Sequence, residues 1–144
     1  MMNLGSAGLS SIFLRSLAMC MSTVRVNGAR TDQEAKLAAE TVANSNLVKT
    51  AFFGEDANWG RIIAALGRSG AAFDQDSVDI AFDDVLVVHD GLAQGAAAET
   101  KATEVLRQKK FTVTVDLKTG QATGEIKTCD LSIDYIKINA DYRS

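Results

Sequence analysis

Two pairs of adjacent carboxylates lie in turn-forming stretches of the sequence, Glu55-Asp56 and Asp83-Asp84. Paired acids can divide acid and base roles when their surroundings push their pKa values apart. The first pair also has a simpler, structural interpretation: Asp56 precedes a helical pattern, and its carboxylate can accept the first backbone N–H groups of that helix. The second pair has too few neighbouring ligand types for a metal site. Neither pair by itself predicts a catalytic centre.

The single histidine, His89, and the arginines Arg61 and Arg68 do not complete a catalytic set either. A triad needs a nucleophile and an orienting acid beside the histidine, and the sequence indicates neither. The two arginines could clamp a carboxylate, but no reactive group lies near them in the sequence. Gly67 and Gly70 follow a helix instead of preceding one, so they do not form a nucleotide-binding loop. From the residues alone we predict no catalytic residue and no metal ligand.

The last six residues, Asn139 to Ser144, form the polar segment best suited to a small ligand. They follow an apolar, strand-like stretch, and a polar tail in this position can also be a frayed end. Asn139 offers a hydrogen-bond donor and an acceptor, and Ser144 offers a hydroxyl beside a carboxylate. These groups suit the amine and the carboxylate of an amino acid.

Composition limits the class of protein and its partners. Of the 144 residues, 47% are hydrophobic and 23% are charged, a balance typical of one globular domain. The net charge is −3 and the densest basic run is only Leu106–Lys110, which argues against a nucleic-acid partner. The two cysteines, Cys20 and Cys129, lack the spacing of a disulfide framework or a zinc site and fit a reducing, cytoplasmic compartment. The apolar run near the start is too short to span a bilayer, so we expect no membrane partner.

The spacing of apolar residues predicts the elements that would position these groups. The clearest is a strand over 111–117, which the turn Lys118-Thr119-Gly120 would fold back onto residues 121–128 as a hairpin. The predicted strands are 23–26, 47–53, 78–82, 85–88, 111–117 and 121–128, and the predicted helices are 32–43, 59–66 and 95–109. Their order, β-α-β-α-β-β-α-β-β, mixes strand pairs with crossover helices. It predicts an α/β domain with a layered mixed sheet and packed helices.

Two local signals support the first part of this order. Asn27-Gly28 is typical of a turn after the first strand. Thr31 and Glu34 then have the spacing of a capping box for the helix that follows.

Two long motifs carry a resemblance to a known family. They are FGEDANWGRIIAALGRSG, over residues 53–70, and CDLSIDYIKINADYRS, over residues 129–144. In this order and at this separation they resemble the C-terminal, beta-chain part of the ornithine acetyltransferase family, whose bifunctional members are glutamate N-acetyltransferases. The resemblance covers residues 24–144, which we expect to form one α/β domain. Residues 1–23 do not match, and in this interpretation they form a separate, disordered segment.

The resemblance implies an activity and a set of partners. The family moves acetyl from N-acetylornithine to glutamate in arginine biosynthesis, and some members also acetylate glutamate from acetyl-CoA. The family's substrate-binding asparagine and last residue fall on Asn139 and Ser144. Family precursors cut themselves before a threonine, which becomes the nucleophile, and that threonine is absent here. The resemblance therefore implies an upstream alpha-chain portion as partner, an oligomer, and no cofactor except acetyl-CoA as an alternative substrate.

Two interpretations of the chain follow. In the first it is a piece of an acetyltransferase that works only when another chain supplies the nucleophile. In the second it is a truncated, non-catalytic remnant that acts only as a folded interaction or structural domain. A sheet built to pack on upstream layers should expose an apolar face, so we expect the isolated chain to self-associate.

Overall fold

The computed structural model describes residues 21–129, which form one six-stranded sheet and four helices. The elements in chain order are β1 (Met21–Ala29), α1 (Asp32–Ala43), α2 (Asn46–Phe53), α3 (Trp59–Arg68), β2 (Asp79–Phe82), β3 (Val85–His89), β4 (Leu92–Ala93), α4 (Ala96–Leu106), β5 (Lys110–Asp116) and β6 (Ala122–Cys129). None of these helices is both long and apolar enough to cross a membrane.

The strands lie in the order β4-β3-β2-β5-β1-β6. β1 is parallel to β5, and the other neighbouring pairs are antiparallel. The predicted α/β domain with a mixed sheet is therefore confirmed. The predicted hairpin between residues 111–117 and 121–128 is wrong, because β1 lies between β5 and β6 and pairs with both.

The loop between β5 and β6 wraps around the end of β1, which explains the failed hairpin. The N–H of Leu117 donates to the carbonyl of Asn27, and the N–H groups of Thr119 and Gly120 donate to that of Gly28. Gly28 has a φ of +70°, and a Cβ there would collide with the Asp116 carboxylate. Asn27-Gly28 is thus not a turn but an irregularity within β1, where the pairing with β6 shifts register.

Residues 47–53, predicted as a strand, form most of helix α2. Val48, Ala51 and Phe52 are buried, and this i, i+3, i+4 spacing is helical. The Ser45 hydroxyl caps the helix by accepting the N–H of Val48 at 3.3 Å. The observed order is therefore β-α-α-α-β-β-β-α-β-β, with one strand replaced by a helix and with β4 added.

The first predicted helix is confirmed at the same bounds, Asp32–Ala43. Its capping box is half formed. The Thr31 hydroxyl accepts the N–H of Glu34 at 3.1 Å, but the Glu34 carboxylate turns to Arg30 and to the N–H of Ala72. That second bond ties the start of α1 to the segment after α3. The apolar, strand-like stretch that precedes Asn139 covers residues 131–138 and lies outside the described residues.

One face of the sheet carries the core. Side chains of alternate residues on β1, β2 and β5 are buried there: Val24, Val26, Ile80, Phe82, Val113 and Val115. Phe52 of α2 contacts Phe82 and Phe111 edge to face, with ring centres 6.3 and 5.2 Å away. Helix α1 packs across β1 and β6 through small residues, including Ala35, Ala38 and Ala39.

The other face of the sheet is mainly polar on β1, β5 and β6, apart from the exposed Met21. On β1, β5 and β6 it carries exposed or half-buried side chains: Thr23, Arg25, Thr112, Thr114, Glu125 and Lys127. Arg25 and Glu125 face each other across β1 and β6 and form an ion pair at 2.6 Å. On β2 and β3 the same face carries Ala81 and Leu86, and Leu86 is 37% exposed. The expectation of an apolar open face is therefore not met on β1, β5 and β6. Self-association of the isolated chain stays a prediction.

Candidate functional site

A cleft of about 380 Å³ lies at the end of the sheet where β1 and β5 begin and β6 ends. Three strands and the turn between β2 and β3 contribute its lining: Met21, Ser22, Thr23, Asp83, Lys110, Phe111, Thr112 and Lys127. Strand alternation puts the side chains of Thr23, Thr112 and Lys127 on the open, polar face. The cleft therefore combines a strand floor with hydroxyl and charged side chains.

The charged groups of the cleft make few contacts with the other described residues. Among residues 21–129, neither the Lys110 nor the Lys127 ammonium pairs with a carboxylate. Asp83 is held in place because its Oδ1 accepts the N–H of Thr112 at 2.8 Å, while its own N–H donates to the Thr112 carbonyl at 2.7 Å. Asp83 has a φ of +52°, a conformation that this pair of bonds holds. The second oxygen of its carboxylate has no hydrogen bond to the described residues.

Register places the two lysines on either side of β1. Lys110 of β5 pairs with Met21, and Lys127 of β6 pairs with Thr23. Neighbouring strands are about 4.8 Å apart, so the two lysine stems start about 10 Å apart across the sheet, with an offset of two residues along it. Flexible four-carbon stems let both ammonium groups reach a ligand above Thr23.

Ser22 is a polar residue whose side chain is buried on the core side of the sheet. It is only 2% exposed, and its hydroxyl has no hydrogen-bond partner in the described structure. Alternation along β1 puts this hydroxyl on the core side with Val24, so the residue borders the cleft through its backbone. An unpaired buried hydroxyl lowers the stability of the fold.

A second charged cluster, at the opposite end of β2 and β5, links the start of β2 to the β3–β4 turn and the β5–β6 loop. Lys118 Nζ lies 2.8 Å from Asp79 Oδ1 and 2.5 Å from Asp90 Oδ1, and His89 Nδ1 lies 3.1 Å from Asp79 Oδ1. Hydrogen bonds to Asp79 and Asp90 raise the pKa of Lys118. Burial alone would raise the pKa of Asp79, but hydrogen bonds from Lys118 and from the N–H of Asp90 outweigh it and lower that pKa.

Asp79, His89 and Asp90 could each offer one ligand atom to a metal, since these atoms lie within 4.8 Å of one another. The Lys118 ammonium, however, already contacts both carboxylates and supplies the positive charge that a metal would bring. We therefore interpret the cluster as an ion-pair network that ties the β5–β6 loop to the β3–β4 turn. His89, which the sequence did not link to any acid, belongs to this network.

The acidic turn of the FGEDANWGR motif is structural. Glu55 has a φ of +57°, and its Oε1 accepts from Arg107 Nε at 3.0 Å. The prediction that Asp56 caps α3 is wrong. Asn58 is the cap, since its Oδ1 accepts the N–H of Arg61 at 3.1 Å. Asp56 instead accepts from the Asn58 side-chain amide at 3.1 Å and so orients the cap.

The motif also joins helices. Trp59 Nε1 donates to Glu99 of α4 at 3.4 Å, and Arg61 Nη1 donates to the carbonyl of Leu47 in α2 at 2.9 Å. Arg61 is therefore engaged within the fold and is not a free carboxylate clamp. The motif holds α2, α3 and α4 together, which accounts for its unusual density of polar residues.

Asn139 and Ser144, the predicted substrate contacts, lie outside the described residues, and their role stays a prediction. β6 ends at Cys129, which pairs with Met21 at the cleft end of the sheet. The described chain therefore ends beside the cleft, ten residues before Asn139.

Sequence reasoning missed the cleft because its residues come from four separate segments. Alternation in residues 111–117 and 121–128 indicates which side chains share a face of each strand. It does not reveal that β1 separates these strands, and so it could not bring Lys110 and Lys127 to the two sides of Thr23.

A family model, that of the ArgJ family, matches residues 17–144. The chain belongs to the ArgJ family. The resemblance inferred from the two motifs is thereby confirmed. The ArgJ match begins at residue 17, and the division of the chain after residue 23 stays a prediction.

Individual ArgJ proteins are similar to the chain over most of its length. It is 64% identical over 124 residues to the arginine biosynthesis bifunctional protein ArgJ of Desulfotalea psychrophila, covering 86% of this chain and 32% of that protein. It is 59% identical over 121 residues to the ArgJ protein of Geobacter sulfurreducens, covering 84% and 31%. The crystal structure of ArgJ from Bacillus halodurans superposes with a TM-score of 0.83 at 38% identity, over 96% of this chain and 66% of that one. The chain thus spans about a third of the length of these curated relatives.

Proposed function

We propose that this chain is part of an acetyltransferase that moves acetyl from N-acetylornithine to glutamate in arginine biosynthesis. In this proposal it contributes part of the amino-acid pocket, through Asn139 and Ser144, and lacks the threonine nucleophile. Membership of the ArgJ family carries the proposal, because similar proteins are named arginine biosynthesis bifunctional proteins. Acetyl-CoA is a second possible acetyl donor, and no other cofactor is part of the proposal.

The cleft supports a role in amino-acid binding. Two lysine ammonium groups that pair with no carboxylate of residues 21–129, two threonine hydroxyls and the Asp83 carboxylate line it. These are the partners that carboxylates and amines require. β6 ends at Cys129 beside this cleft, ten residues before Asn139 in the sequence. A pocket wall built from these residues would orient an amino acid without doing covalent chemistry itself.

The rest of the enzyme would come from an upstream portion. That portion would carry the threonine, whose hydroxyl takes the acetyl group from N-acetylornithine as an ester and releases ornithine. The amine of glutamate then takes the acetyl group from the ester, which frees the threonine hydroxyl. The polar open face of the sheet offers threonines and the Arg25–Glu125 pair for contact with that portion.

The test is reconstitution from two chains. The upstream portion of the Desulfotalea psychrophila protein, without the part that matches this chain, would be co-expressed with this chain through an orthogonal tag. We expect the two to copurify and to transfer labelled acetyl from N-acetylornithine to glutamate. Asn139→Ala should reduce this transfer, whereas Lys101→Ala, on an exposed position of α4, should not.

The alternative is a non-catalytic remnant that folds without taking part in acetyl transfer. Absence of copurification and of transfer, with both chains folded by circular dichroism, would reject the enzyme proposal in favour of this alternative. Copurification without acetyl transfer would mean that the chain acts only as an interaction domain. Native purification of the chain from its source cells, followed by intact mass of the copurifying proteins, would identify a natural partner.

A further inference from the structure

We propose that the free edge of strand β6 is an interface at which a second copy of this chain adds its own β6, antiparallel, with Glu125 of each copy opposite Lys127 of the other. This inference goes beyond the proposed function and does not depend on it. In the described part of the chain, β6 pairs with β1 alone and forms one end of the sheet. An edge strand of eight residues presents a row of N–H and C=O groups that is a template for another strand.

Two hydrogen bonds of β1 show which way its backbone groups point. The N–H of Met21 donates to the carbonyl of Lys109 at 2.9 Å, at the start of β5. The carbonyl of Asn27 accepts the N–H of Leu117 at 2.9 Å, at the other end of β5. Because the direction of these groups alternates along a strand, the odd-numbered residues of β1 point toward β5 and the even-numbered ones toward β6.

The same alternation identifies the residues that face the free edge of β6. Even-numbered residues of β1 pair with even-numbered residues of β6, as Val24 does with Ile126. These pairs exchange the hydrogen bonds between the two strands, so the odd-numbered residues of β6 point their N–H and C=O groups away from β1. They are Thr123, Glu125, Lys127 and Cys129. A second strand would therefore form its hydrogen bonds with these residues.

The charges of β6 favour one two-fold register. A register centred on Glu125 puts two carboxylates directly opposite each other, and one centred on Lys127 does the same with two ammonium groups. Like charges in these positions destabilise a strand pair, and opposite charges stabilise it. The register centred on Ile126 puts Glu125 opposite Lys127 twice. It also brings the two partly buried Ile126 side chains together on the core side of the sheet.

The second copy would reach the cleft. Lys127 lines the cleft and pairs with no carboxylate of residues 21–129. In the register centred on Ile126 it lies opposite Glu125 of the second copy, a carboxylate that Arg25 of that copy holds at 2.6 Å. A lysine ammonium has three N–H donors, so Lys127 can contact this carboxylate and a ligand at once. The second copy would therefore form part of the wall of each cleft.

The helices leave room for this pairing. Helix α1 packs across β1 and β6, so its axis lies about half a strand spacing inside β6. With the two β6 strands about 4.8 Å apart, the two copies of α1 would lie about 10 Å apart. This is within the usual range of distances between packed helices. The two α1 helices would thus contact each other above the paired strands.

The first test is the molecular mass of the purified full chain, measured by sedimentation equilibrium over a range of concentrations. We expect a monomer–dimer equilibrium. Lys127→Glu and Glu125→Lys each put like charges opposite one another at two positions, so each should raise the dissociation constant at least about tenfold. An equal mixture of the two variants should recover association, because a mixed dimer again joins opposite charges. The matched control is Lys101→Glu, at an exposed position of α4, which should dimerise like the parent.

A cross-link tests the register directly. The register centred on Ile126 puts Thr123 opposite Cys129 of the second copy, with Cα atoms about 5.5 Å apart, a distance that a disulfide spans. Within one chain the same two residues lie about 20 Å apart along β6. Thr123→Cys should therefore give a disulfide-linked dimer in oxidised glutathione, seen on a non-reducing gel. Adding Cys129→Ser should abolish that dimer.

Three results would overturn the inference, provided that circular dichroism shows each variant to be folded. A chain that stays monomeric at every concentration would leave residues 130–144 or the upstream portion to cover the edge of β6. Dimerisation that both charge reversals leave unchanged would place the interface elsewhere. A mixture of the two variants that associates no better than either alone, without a Thr123→Cys cross-link, would exclude this register.

Discussion

Gly124 allows helix α1 to lie directly on the edge strand β6. A Cβ built at this position lies 2.8 Å from the carbonyl carbon of Ala35, 2.9 Å from the nitrogen of Lys36 and 3.0 Å from the oxygen of Ala35. Carbon atoms pack best at about 3.5 to 4.0 Å, so an added methyl overlaps by about half an ångström or more. All three atoms are helix backbone and cannot rotate away, so α1 or β6 must move.

Gly124→Ala should therefore destabilise the fold. Forcing an extra methyl into packed surroundings lowers the free energy of unfolding by about 1 to 3 kcal/mol. Alanine also reduces the conformational entropy of the unfolded chain, which offsets about 0.4 to 1 kcal/mol of that loss. We expect a net loss of about 1 to 2 kcal/mol in the free energy of unfolding. For a domain of this size that corresponds to a fall of about 4 to 8 °C in Tm.

The assay is urea unfolding followed by the fluorescence of Trp59, the only tryptophan, and by far-UV circular dichroism. The matched control is Gly67→Ala in helix α3, where a Cβ meets no atom within 4 Å. That variant should be stabilised by about 0.5 to 1 kcal/mol, because alanine is the better helix former. If Gly124→Ala unfolds at the same urea concentration as the parent, the close approach of α1 and β6 does not limit packing and the reasoning is wrong.

Three further predictions concern single polar groups. Ser22→Ala removes a buried hydroxyl that lacks a partner among the described residues. Urea unfolding should therefore show a free energy of unfolding about 1 kcal/mol higher than that of the parent. A lower value would mean that the hydroxyl is hydrogen-bonded. Asn58→Ala removes the cap of α3 and should lower the free energy of unfolding by about 1 kcal/mol. Asp56→Ala loses only the contact that orients Asn58 and should lower it clearly less in the same assay. The pKa of Asp79 is lowered in the fold, so its contribution to stability is present above the ordinary aspartate pKa of about 4 and is lost as the pH falls through the lower folded value. The urea concentration at the unfolding midpoint should therefore fall when the pH drops below about 4, and it should fall less for Lys118→Met than for the parent. An equal fall in both proteins would contradict the role of Lys118.

The parts of the fold that local rules decide were predicted well. Helix α1 has the predicted bounds because Thr31 is a good cap and the alanines recur at helical spacing. β5 matches the strict alternation of its apolar residues. The family was recognisable because residues 53–70 combine several polar side chains that the fold uses together, including Glu55, Asn58 and Trp59.

The errors arose where a short segment suits two structures. Residues 47–53 are rich in residues that favour strands, but seven residues also hold one helical set of buried positions, and the Ser45 cap decides for the helix. Asp56 and Asn58 are both good caps, and the choice between them depends on where the chain turns after Gly54. Propensity alone does not separate such cases.

The sequence by itself determined the α/β class, the helix α1 and the membership of the ArgJ family, because these depend on periodicity, caps and contiguous motifs. Only the tertiary structure decided that β1 lies between β5 and β6, that Lys118 closes an ion-pair network with Asp79 and Asp90, and that Lys110 and Lys127 flank one cleft. Strand pairing over long sequence separations depends on loop paths and on the packing of helices against one face. Neither is encoded in any single segment of the chain.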